Sequence, residues 1–339
     1  LIDPWVLKTG AGGPFKVFTP FWRALSKGET PPPVPSPGRI DGVNAASDDL
    51  ADWALSAGLG SAKGQLANRI DAGEGAANDR LHAFLEGRST RYAKDRDRLD
   101  VAGTTGLSDA LAVGEISPRQ IWATMDRYSG DRGVEAARRQ LVWRDFAHHI
   151  LFHDPEMERE NWRREWSAFP WRDDNADAEK WRWGRTGVEV IDAAMRELWV
   201  TGRMHNRARM LVGSYLTKNL LTHWRIGESW FRDTLIDWDP ANNAMGWQWV
   251  AGCGPDAAPY FRIFNPETQA EKFDPAGVYR NYWLRGEGAE DFRSMLPRHV
   301  ISVLESPPLM VDLKATRQRA LSAWEAMRSG AAGKIEEYA

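Results

Sequence analysis

A helical period with no competing strand pattern constrains this 339-residue chain more than any other feature. The segment Ser117-Pro-Arg-Gln120 predicts a helix start, in which Ser117 caps the helix, proline suits the first turn and Gln120 reaches back to complete a capping box. An apolar stripe follows at helical spacing, formed by Ile121, Met125 and Tyr128.

Three later segments carry the same period. Gly133–His153 is expected to form a long helix whose inward face comprises Leu141, Val142, Phe146, Ile150 and Leu151. Thr186-Gly-Val-Glu189 predicts a second capping box that opens a helix through Trp199, and His205–Leu221 predicts the next helix. Because no run of alternating strands and no repeat accompanies them, the predicted fold class is all-α, a cluster of helices around one core.

The first 70 residues have a different composition. Three glycines within residues 10–13 favour a connector over a dinucleotide fingerprint, because their spacing is wrong and Pro14 follows where a helix should open. Residues 30–38, TPPPVPSPG, predict a stiff polyproline-type linker, and Asp48–Ala57 predicts a short helix. Since Leu1–Val6 resembles the end of an element already under way, we expect the chain to be the C-terminal part of a longer protein.

Composition narrows the function classes. The net charge of −3 excludes a polybasic, histone-like binder but not a local basic groove. A single cysteine, Cys253, excludes an intramolecular disulfide and a cysteine-only metal cluster within one chain, and no apolar run approaches a membrane span of about 20 residues. A soluble protein in a reducing compartment is therefore expected. The tryptophan content is unusual: the chain has 18 Trp against 12 Phe and 7 Tyr, more than a hydrophobic core requires.

A basic stretch begins at residue 203. Arg203 and Arg207 lie four residues apart on one helix face, and Asn206 and Arg209 share the adjoining face. Between residues 196 and 232, seven Lys and Arg against two Glu produce a local charge of +5. These residues form either a solvated basic face or a groove for phosphates, since guanidinium groups match phosphate oxygens.

Two loops leave similar alternatives open. In the polar loop DWDPANN, Asp237 or Asp239 could pair with Arg209 or accept hydrogen bonds from a ligand, although an ordinary turn with Asx capping accounts for the composition equally well. The small-residue loop Gly103–Ser108 could hold a phosphate through N–H groups and hydroxyls, yet loops of this composition are common.

The long helix at Gly133–His153 carries two further polar features. His149 and His153 lie one turn apart as a metal pair would, but a metal site is disfavoured because no HExxH glutamate and no third ligand are evident. Trp143 and Arg144 are either a core residue beside a surface salt bridge or an aromatic edge beside a cation in a pocket.

Together these segments closely resemble the DNA photolyase/cryptochrome family, and within it the class I cyclobutane pyrimidine dimer photolyases. The most specific part runs from Thr186 to Asp274 and includes Trp247-Gln-Trp249 and the run Gly252–Pro266. Gly114–Gln120 matches as well, and the resemblance extends over Lys8–Glu305.

The family implies a helical FAD domain that normally follows an α/β antenna domain. Residues 1–70 would then be the end of the antenna domain and an irregular interdomain linker, and residues 71–339 the helical domain that binds FAD and the DNA lesion. Since most of the antenna domain is missing from this sequence, no antenna chromophore is expected in this chain, and no metal is implied.

The family's FAD-binding positions fall into two groups in this sequence. Those near the phosphates would be Tyr92, Thr104, Thr105, Leu107 and Ser108. Those around the ribityl chain and isoalloxazine would be Arg144, Asn206, Arg209, Asp237, Asp239 and Asn243. Asn243 would face flavin N5, where an amide favours protonated, reduced flavin, whereas some photoreceptor relatives carry an acid there.

The resemblance also assigns five of the 18 tryptophans. Those that would carry an electron from the surface to photoexcited flavin are Trp247, Trp224 and Trp171. Those that would stack on a flipped-out dimer are Trp143 and Trp249. The remaining DNA-facing positions are Met210 in the same pocket and Arg96, Arg203 and Arg207 nearer the backbone. The histidine pair of the (6-4) photoproduct branch is missing from Met204–Arg207, which favours the cyclobutane dimer.

Two segments depart from the family pattern, at Gly106 and Asp109 in one and at Gln140 in the other. Where the family has Thr-Ser-Arg-Leu-Ser-Pro, this chain has Thr104-Thr-Gly-Leu-Ser-Asp109, so an arginine is lost and a carboxylate enters near two phosphates. A reduced flavin affinity is expected. Gln140 replaces a glutamate that hydrogen-bonds the dimer, and glutamine keeps a donor but loses a proton source.

The function that the resemblance implies is light-driven repair of cyclobutane pyrimidine dimers by electron transfer from photoexcited reduced FAD, that is, a deoxyribodipyrimidine photo-lyase activity. The expected partner is UV-damaged DNA, and the expected state is a monomer in the bacterial cytosol. The alternatives are a cryptochrome-like blue-light photoreceptor with FAD and the tryptophan chain, and an inactive remnant or helical DNA-binding domain without flavin.

Overall fold

A computed structural model describes residues 1–54, 70–257, 261–297, 300 and 307–330. Within these residues the only β pairing is an isolated parallel bridge between Arg172 and Thr222. The all-α prediction is confirmed. The α-helices are α1 Phe18–Leu25, α2 Glu74–Gly87, α3 Ser89–Asp95, α4 Ser108–Val113, α5 Pro118–Met125, α6 Arg132–His153, α7 Ala176–Arg182, α8 Glu189–Thr201, α9 Asn206–Ser214, α10 Trp224–Thr234, α11 Pro240–Ala251, α12 Pro266–Phe273, α13 Val278–Arg285, α14 Glu287–Met295 and α15 Leu313–Arg328.

Short 3₁₀ turns occupy several of the connections between these helices. They lie at Leu50–Trp53, Asp126–Tyr128, Pro155–Glu158 and Arg164–Ala168. The short helix expected at Asp48–Ala57 is thus a single 3₁₀ turn, and its part beyond residue 54 lies outside the described residues.

Helix α6 anchors the first of two hydrophobic clusters. It begins at Arg132 because the Asp131 carboxylate accepts hydrogen bonds from the N–H groups of Gly133 and Val134, at 2.7 and 3.3 Å. Its inward face agrees with the prediction, since the buried residues include Leu141, Val142, Phe146 and Ile150, with Leu151 packed at the margin. Helices α1 and α3 both pack against α6.

The second cluster surrounds α8, which is buried along most of its length. Helices α9, α13 and α14 pack against α8, and α11 packs against α6, α9 and α10. Helix α11 therefore connects the two clusters. It begins at Pro240, within the polar segment DWDPANN.

The capping box predicted at α5 is half correct. The Ser117 hydroxyl accepts a hydrogen bond from the Gln120 N–H at 3.0 Å, and Pro118 occupies the first turn. The Gln120 side chain donates instead to Asn78 on α2, at 3.0 Å. The long amide thus ties two helices together because a tertiary acceptor lies within its reach.

The capping box predicted at α8 is wrong. The helix begins at Glu189 without a side-chain cap, and the Thr186 hydroxyl donates to the buried carboxylate of Asp192 at 2.7 Å. Asp192 also accepts hydrogen bonds from the N–H groups of Thr186 and Gly187. A buried carboxylate needs several donors, and this requirement outweighs the local capping pattern.

The predicted helix over residues 205–221 changes character along its length. Helix α9 ends at Ser214, a π-helical turn spans Tyr215–Asn219, and Leu221 adopts a left-handed φ of 54°. Both features are energetically costly in a non-glycine segment and often occur near functional sites. The result is a sharp exit that delivers Trp224 as the first residue of α10.

Candidate active site

Two ion pairs and one close contact join the segments that the sequence analysis singled out. The ion pairs are Asp109–Arg203 and Arg209–Asp237, and the contact is between His148 Nε2 and Asp239 at 3.3 Å. They connect the small-residue loop, helix α6, the basic stretch and the polar loop. Among the predicted cofactor residues, Arg209, Asp237 and Asp239 therefore lie together near the N-terminus of α11.

The small-residue loop is held against α3. A Cβ on Gly103 would lie 2.4 Å from the carbonyl oxygen of Asp95, so only glycine permits this approach. Within the described residues, no hydrogen bond engages the hydroxyls of Thr104, Thr105 and Ser108. Three unbonded hydroxyls on one loop are a donor set that fits phosphate oxygens.

Leu107 and Tyr92 form an apolar floor under this loop. They are 2% and 6% exposed, and the Tyr92 ring packs edge-on against Phe84 at 5.3 Å. Burial raises the pKa of Tyr92, although Arg96 opposes the shift, so the phenol stays protonated at neutral pH.

Asp109, the acidic departure from the family pattern, is neutralised in the structure. Its carboxylate accepts hydrogen bonds from Arg80 at 3.0 and 3.2 Å and from Arg203. Burial by itself would raise the pKa of Asp109, but the Arg203 hydrogen bond and the charges of both arginines outweigh burial and lower the pKa. The added negative charge is thus compensated, partly by Arg80, which the sequence analysis did not identify.

The predicted pairing of Arg209 is confirmed for Asp237. Arg209 Nη2 donates to both carboxylate oxygens of Asp237, at 3.0 and 2.8 Å, and its Nε donates to the Met204 carbonyl at 2.8 Å. The Asp237 side chain is only 5% exposed. Because Nη2 is shared by both carboxylate oxygens and Nε is held by a main-chain carbonyl, these contacts hold both side chains in one geometry.

A buried acid, absent from the sequence predictions, interacts with Arg209. Glu197 accepts a hydrogen bond from the Tyr279 hydroxyl at 2.5 Å. Burial raises the pKa of Glu197 to about 7, while the Tyr279 hydrogen bond and the Arg209 charge act in the opposite direction. This carboxyl group is therefore poised between its charged and neutral forms near neutral pH.

Asn243 is buried on α11 and its amide orientation follows from its partners. The Nδ2 group donates to the side chain and the main-chain carbonyl of Glu228, at 2.9 and 3.1 Å. Burial raises the pKa of Glu228. Because the amino group is engaged, the carbonyl oxygen of Asn243 is the part of the amide that can accept a hydrogen bond from a ligand.

Helix α6 contributes Arg144 and Gln140 to the same region. Arg144 is half-buried and has no hydrogen bond or ion pair with any described residue. Gln140 makes a long contact of 3.4 Å to the Ala136 carbonyl of its own helix. Burial lowers the pKa of the adjacent His148, whose imidazole lies beside Asp239, the N-cap of α11.

The two tryptophans predicted for the lesion pocket have different surroundings. Trp143 stacks on Phe18 of α1 with a ring-centre distance of 3.7 Å and an interplanar angle of 4°, so one face of the indole is covered. Trp249 is half-buried and donates its ring N–H to the Asp256 carbonyl at 3.1 Å. Near Met210, the exposed Asn206 amide approaches the thioether sulfur at 3.9 Å.

The arginines predicted to face DNA are mostly paired with carboxylates. Arg207 lies 3.0 Å from Asp97 and stacks over Phe273, Arg203 pairs with Asp109, and Arg96 is 4.0 Å from Asp97. The basic stretch is therefore not the free positive face that its local charge suggested. Arg203 remains 40% exposed and is accessible to a phosphate.

Trp247 is enclosed between α10 and its own helix. The indole is 4% exposed, and its ring N–H has no hydrogen-bond acceptor among the described residues. Phe231 and Trp181 pack edge-on against it at ring-centre distances of 4.9 and 6.1 Å. Its position is thus set by packing alone.

Trp224 and Trp171 lie on either side of His223. The ring-centre distances are 5.2 Å from Trp171 to His223 and 5.6 Å from His223 to Trp224. Trp224 is fully buried and donates its ring N–H to Asn161 at 2.8 Å. Trp171 is held beside His223 by the bridge at Arg172 and is partly exposed. His223 was not identified from the sequence.

The histidine pair on α6 has a structural role. His149 accepts a hydrogen bond from the Phe15 N–H at 3.0 Å through Nε2, and its Nδ1 lies 2.7 Å from the Pro4 carbonyl oxygen. Both ring nitrogens are therefore occupied by backbone groups. In the part of the chain that the structure describes, no cluster of three or more potential metal ligands is found.

Comparison with known proteins identifies the family. A model of the FAD binding domain of DNA photolyase matches residues 137–326. The chain belongs to the DNA photolyase family, and FAD is the cofactor of the domain it matches. A deoxyribodipyrimidine photo-lyase of Agrobacterium fabrum is 40% identical over 350 residues, which cover 97% of this chain and 72% of that relative.

Two solved structures extend the comparison. A class III photolyase from Agrobacterium tumefaciens superposes with a TM-score of 0.86 at 39% identity, over 97% of this chain and 72% of that one. A Synechocystis cryptochrome has a TM-score of 0.64 at 31% identity, over 77% of this chain and 56% of its own. The family prediction is confirmed, whereas membership of class I stays a prediction. None of the described helices has the length and apolar character of a membrane span.

Proposed function

We propose that this chain repairs cyclobutane pyrimidine dimers in UV-damaged DNA as a light-driven deoxyribodipyrimidine photo-lyase. The observation that carries the proposal is the 40% identity over 97% of the chain to a relative of that name. The geometry supports it, since two ion pairs and a close contact join the basic stretch, the start of α4, the polar loop and helix α6, which carry or adjoin residues that the resemblance assigns to the cofactor.

The residues present fit FAD. Among the described residues, the loop hydroxyls have no hydrogen-bond partner and suit the phosphates, and the half-buried Arg144 has no hydrogen bond or ion pair and suits an anionic or electron-rich ligand. When bound, reduced FAD supplies the photoexcited electron that opens the cyclobutane ring. Asp237 and Asp239, held by Arg209 and by the start of α11, would accept hydrogen bonds from the ribityl and ring groups.

Asn243 would select the reduced cofactor. Its amino group is engaged by Glu228, so its carbonyl oxygen is an acceptor suited to a protonated ring nitrogen. A carboxylic acid at this position would act as a donor to the unprotonated nitrogen. The amide therefore supports repair over a photoreceptor role.

Trp143, Trp249 and Gln140 would bind the flipped-out dimer. A base that leaves the duplex loses its stacking, and each aromatic face that replaces it contributes about 1–3 kcal/mol. Because Phe18 covers one face of Trp143, the opposite face or the ring edge is the one that would meet the dimer. The Gln140 amide makes only a long contact of 3.4 Å to its own helix and would donate to a dimer carbonyl.

Arg96, Arg203 and Arg207 would position the DNA backbone. All three lie within 4.0 Å of a carboxylate in the free protein, so a phosphate would compete with Asp97 or Asp109 for these arginines. An arginine that is already paired with a carboxylate neutralises less phosphate charge, so its binding releases fewer counterions from the DNA. We therefore expect the affinity to depend less steeply on salt than it would with three free arginines.

The chain of Trp247, Trp224 and Trp171 would reduce the cofactor after photoexcitation. Burial of Trp247 and Trp224 and partial exposure of Trp171 agree with a path from the interior to the surface. Replacing Trp224 by phenylalanine should slow flavin photoreduction while chemically reduced protein keeps its repair activity. The matched control is Trp324→Phe, which removes an indole stacked on Phe261 outside the proposed chain.

The decisive test is illumination of the purified, FAD-reconstituted chain with dimer-containing oligothymidine. Recovery of thymine absorbance near 260 nm is expected. Failure to bind FAD would refute the proposal and also the photoreceptor alternative. Flavin that photoreduces without restoring thymine absorbance would refute repair and favour the photoreceptor.

The finer assignments belong to the same proposal. We infer a monomer that acts in the bacterial cytosol; several matched photo-lyases come from bacteria, which supports the second point. A division near residue 70 stays a prediction, and the family match spans residues 137–326 of the second part. Residues 1–25 nevertheless share a hydrophobic cluster with α6.

A further inference from the structure

A surface cavity of about 320 Å³ lies beside Trp171, away from the region where the proposed cofactor residues meet. Its lining includes Arg159, Glu160, Asn161, Trp171, His223 and Arg225. We call it the Trp171 cavity. Its volume falls at the lower end of the range of about 300–1,000 Å³ that is typical of small-molecule sites.

The Trp171 cavity touches two members of the proposed tryptophan chain. Trp171 itself forms one wall, and Asn161 in another wall accepts the ring N–H of the fully buried Trp224 at 2.8 Å. His223 lies between the two indoles, 5.2 Å from one and 5.6 Å from the other. A molecule in the cavity would therefore contact the outer end of the chain directly.

The charge of the lining is positive. Arg159 and Arg225 are exposed, and within the described residues their guanidinium groups form no hydrogen bond or ion pair. Burial, reinforced by the Arg225 charge, lowers the pKa of His223 to about 4, so the imidazole is neutral at pH 7. With the single carboxylate of Glu160, the lining has a net charge of +1, which one monoanion would neutralise.

The ring N–H groups of both indoles are directed at amide oxygens. Trp224 donates its N–H to the Asn161 amide oxygen, and Trp171 donates to the Trp166 carbonyl oxygen at 3.1 Å. Whether or not its proton is lost, an oxidised Trp171 returns to its resting form only by gaining an electron. Because Trp171 lines the Trp171 cavity, a donor bound there can supply that electron by direct contact.

We propose that the Trp171 cavity binds a small organic monoanion of the ascorbate type, which reduces oxidised Trp171. In this step the ascorbate monoanion loses one electron and one proton: the electron fills the vacancy on the Trp171 ring, the proton goes to solvent, and the ascorbyl radical leaves. The inference rests on the proposed electron chain, but adds a binding site and the class of its ligand.

The test measures the decay of the tryptophan radical after a laser flash, at increasing concentrations of sodium ascorbate. The rate should saturate, and the half-saturating concentration should rise about threefold in Arg159→Gln or Arg225→Gln and about tenfold in the double variant. Glu160→Gln should lower it, and Arg317→Gln, an exposed arginine on α15, should leave it unchanged. Reduction by the neutral reagent dithiothreitol should be the same in all these variants.

A second readout does not depend on light. Saturation-transfer NMR in the dark should show ascorbate binding to the wild-type chain and its loss in the double arginine variant. A rate that rises linearly with ascorbate and ignores both arginines would overturn the site while leaving the electron chain intact. If Trp171→Phe leaves photoreduction by dithiothreitol unchanged, the electron chain is refuted and this inference with it.

Discussion

Gly227→Ala tests whether direct packing between α10 and α11 positions Trp247. A Cβ at residue 227 would lie 2.1 Å from Cη2 of the Trp247 ring and 2.5 and 2.6 Å from Cζ3 and Cζ2. The ring cannot swing away freely, because it is 4% exposed and Phe231 packs against it at 4.9 Å. Restoring an ordinary contact of 3.4 Å requires a shift of about 1.3 Å.

The expected cost follows from two opposing terms. Overpacking of a buried site costs about 1–3 kcal/mol, whereas alanine in place of glycine in a helix returns about 1 kcal/mol. Gly246 is the matched control, because it precedes Trp247 on the same helix and a Cβ added there would have no neighbouring atom within 4 Å. The two alanine variants should therefore differ in unfolding free energy by about 1–3 kcal/mol.

Thermal unfolding followed by circular dichroism measures this difference. At roughly 2 °C per kcal/mol for a chain of this size, Gly227→Ala should melt about 2–6 °C below Gly246→Ala. Flavin photoreduction should also slow in Gly227→Ala, because the displaced indole is the proposed inner member of the electron chain. Equal melting temperatures in the two variants would show that Gly227 does not position the ring.

Three further substitutions probe buried charges through urea unfolding at several pH values. Glu197→Gln removes an acid whose folded pKa of about 7 exceeds its ordinary 4.5. The stability that this shift contributes is present below pH 4.5 and lost as pH rises to about 7, so wild type should lose about 3 kcal/mol relative to the variant across that window. Asp109→Asn should lower the free energy of unfolding by about 1–2 kcal/mol at pH 7. Because the folded pKa of Asp109 is lowered, the difference in unfolding free energy between wild type and variant should vanish as pH falls through that pKa. Asn243→Asp sets a second carboxylate beside Glu228 and should cost about 1–2 kcal/mol at pH 8 but less at pH 5, where protonation relieves the repulsion.

Features with a short-range cause could be predicted from the sequence. The start of α6, its buried face and the Ser117 cap follow from helical periodicity and from hydrogen bonds within one turn. The family was also accessible, because its motifs are contiguous between Thr186 and Asp274 and contain the residue types that flavin and DNA chemistry require.

Features with a long-range cause were decided only by the tertiary structure. Arg203 meets Asp109 across 94 residues of sequence, and Arg80 joins them from a third segment, so the charge introduced at residue 109 could not be judged in isolation. Phe18 covers Trp143 for the same reason, because α1 packs on α6. The capping box predicted at Thr186 does not form, because the N–H and the hydroxyl of Thr186 donate instead to the buried carboxylate of Asp192.

The sequence by itself therefore determined the all-α class, the main helices, the family and the identities of the aromatic and basic residues. The tertiary structure decided which charges are neutralised, which indole faces are covered, and that His223 and the Trp171 cavity lie beside Trp171, the outer member of the proposed tryptophan chain. The physical reason is that periodicity and capping act over a few residues, whereas burial and ion pairing depend on which distant segments pack together.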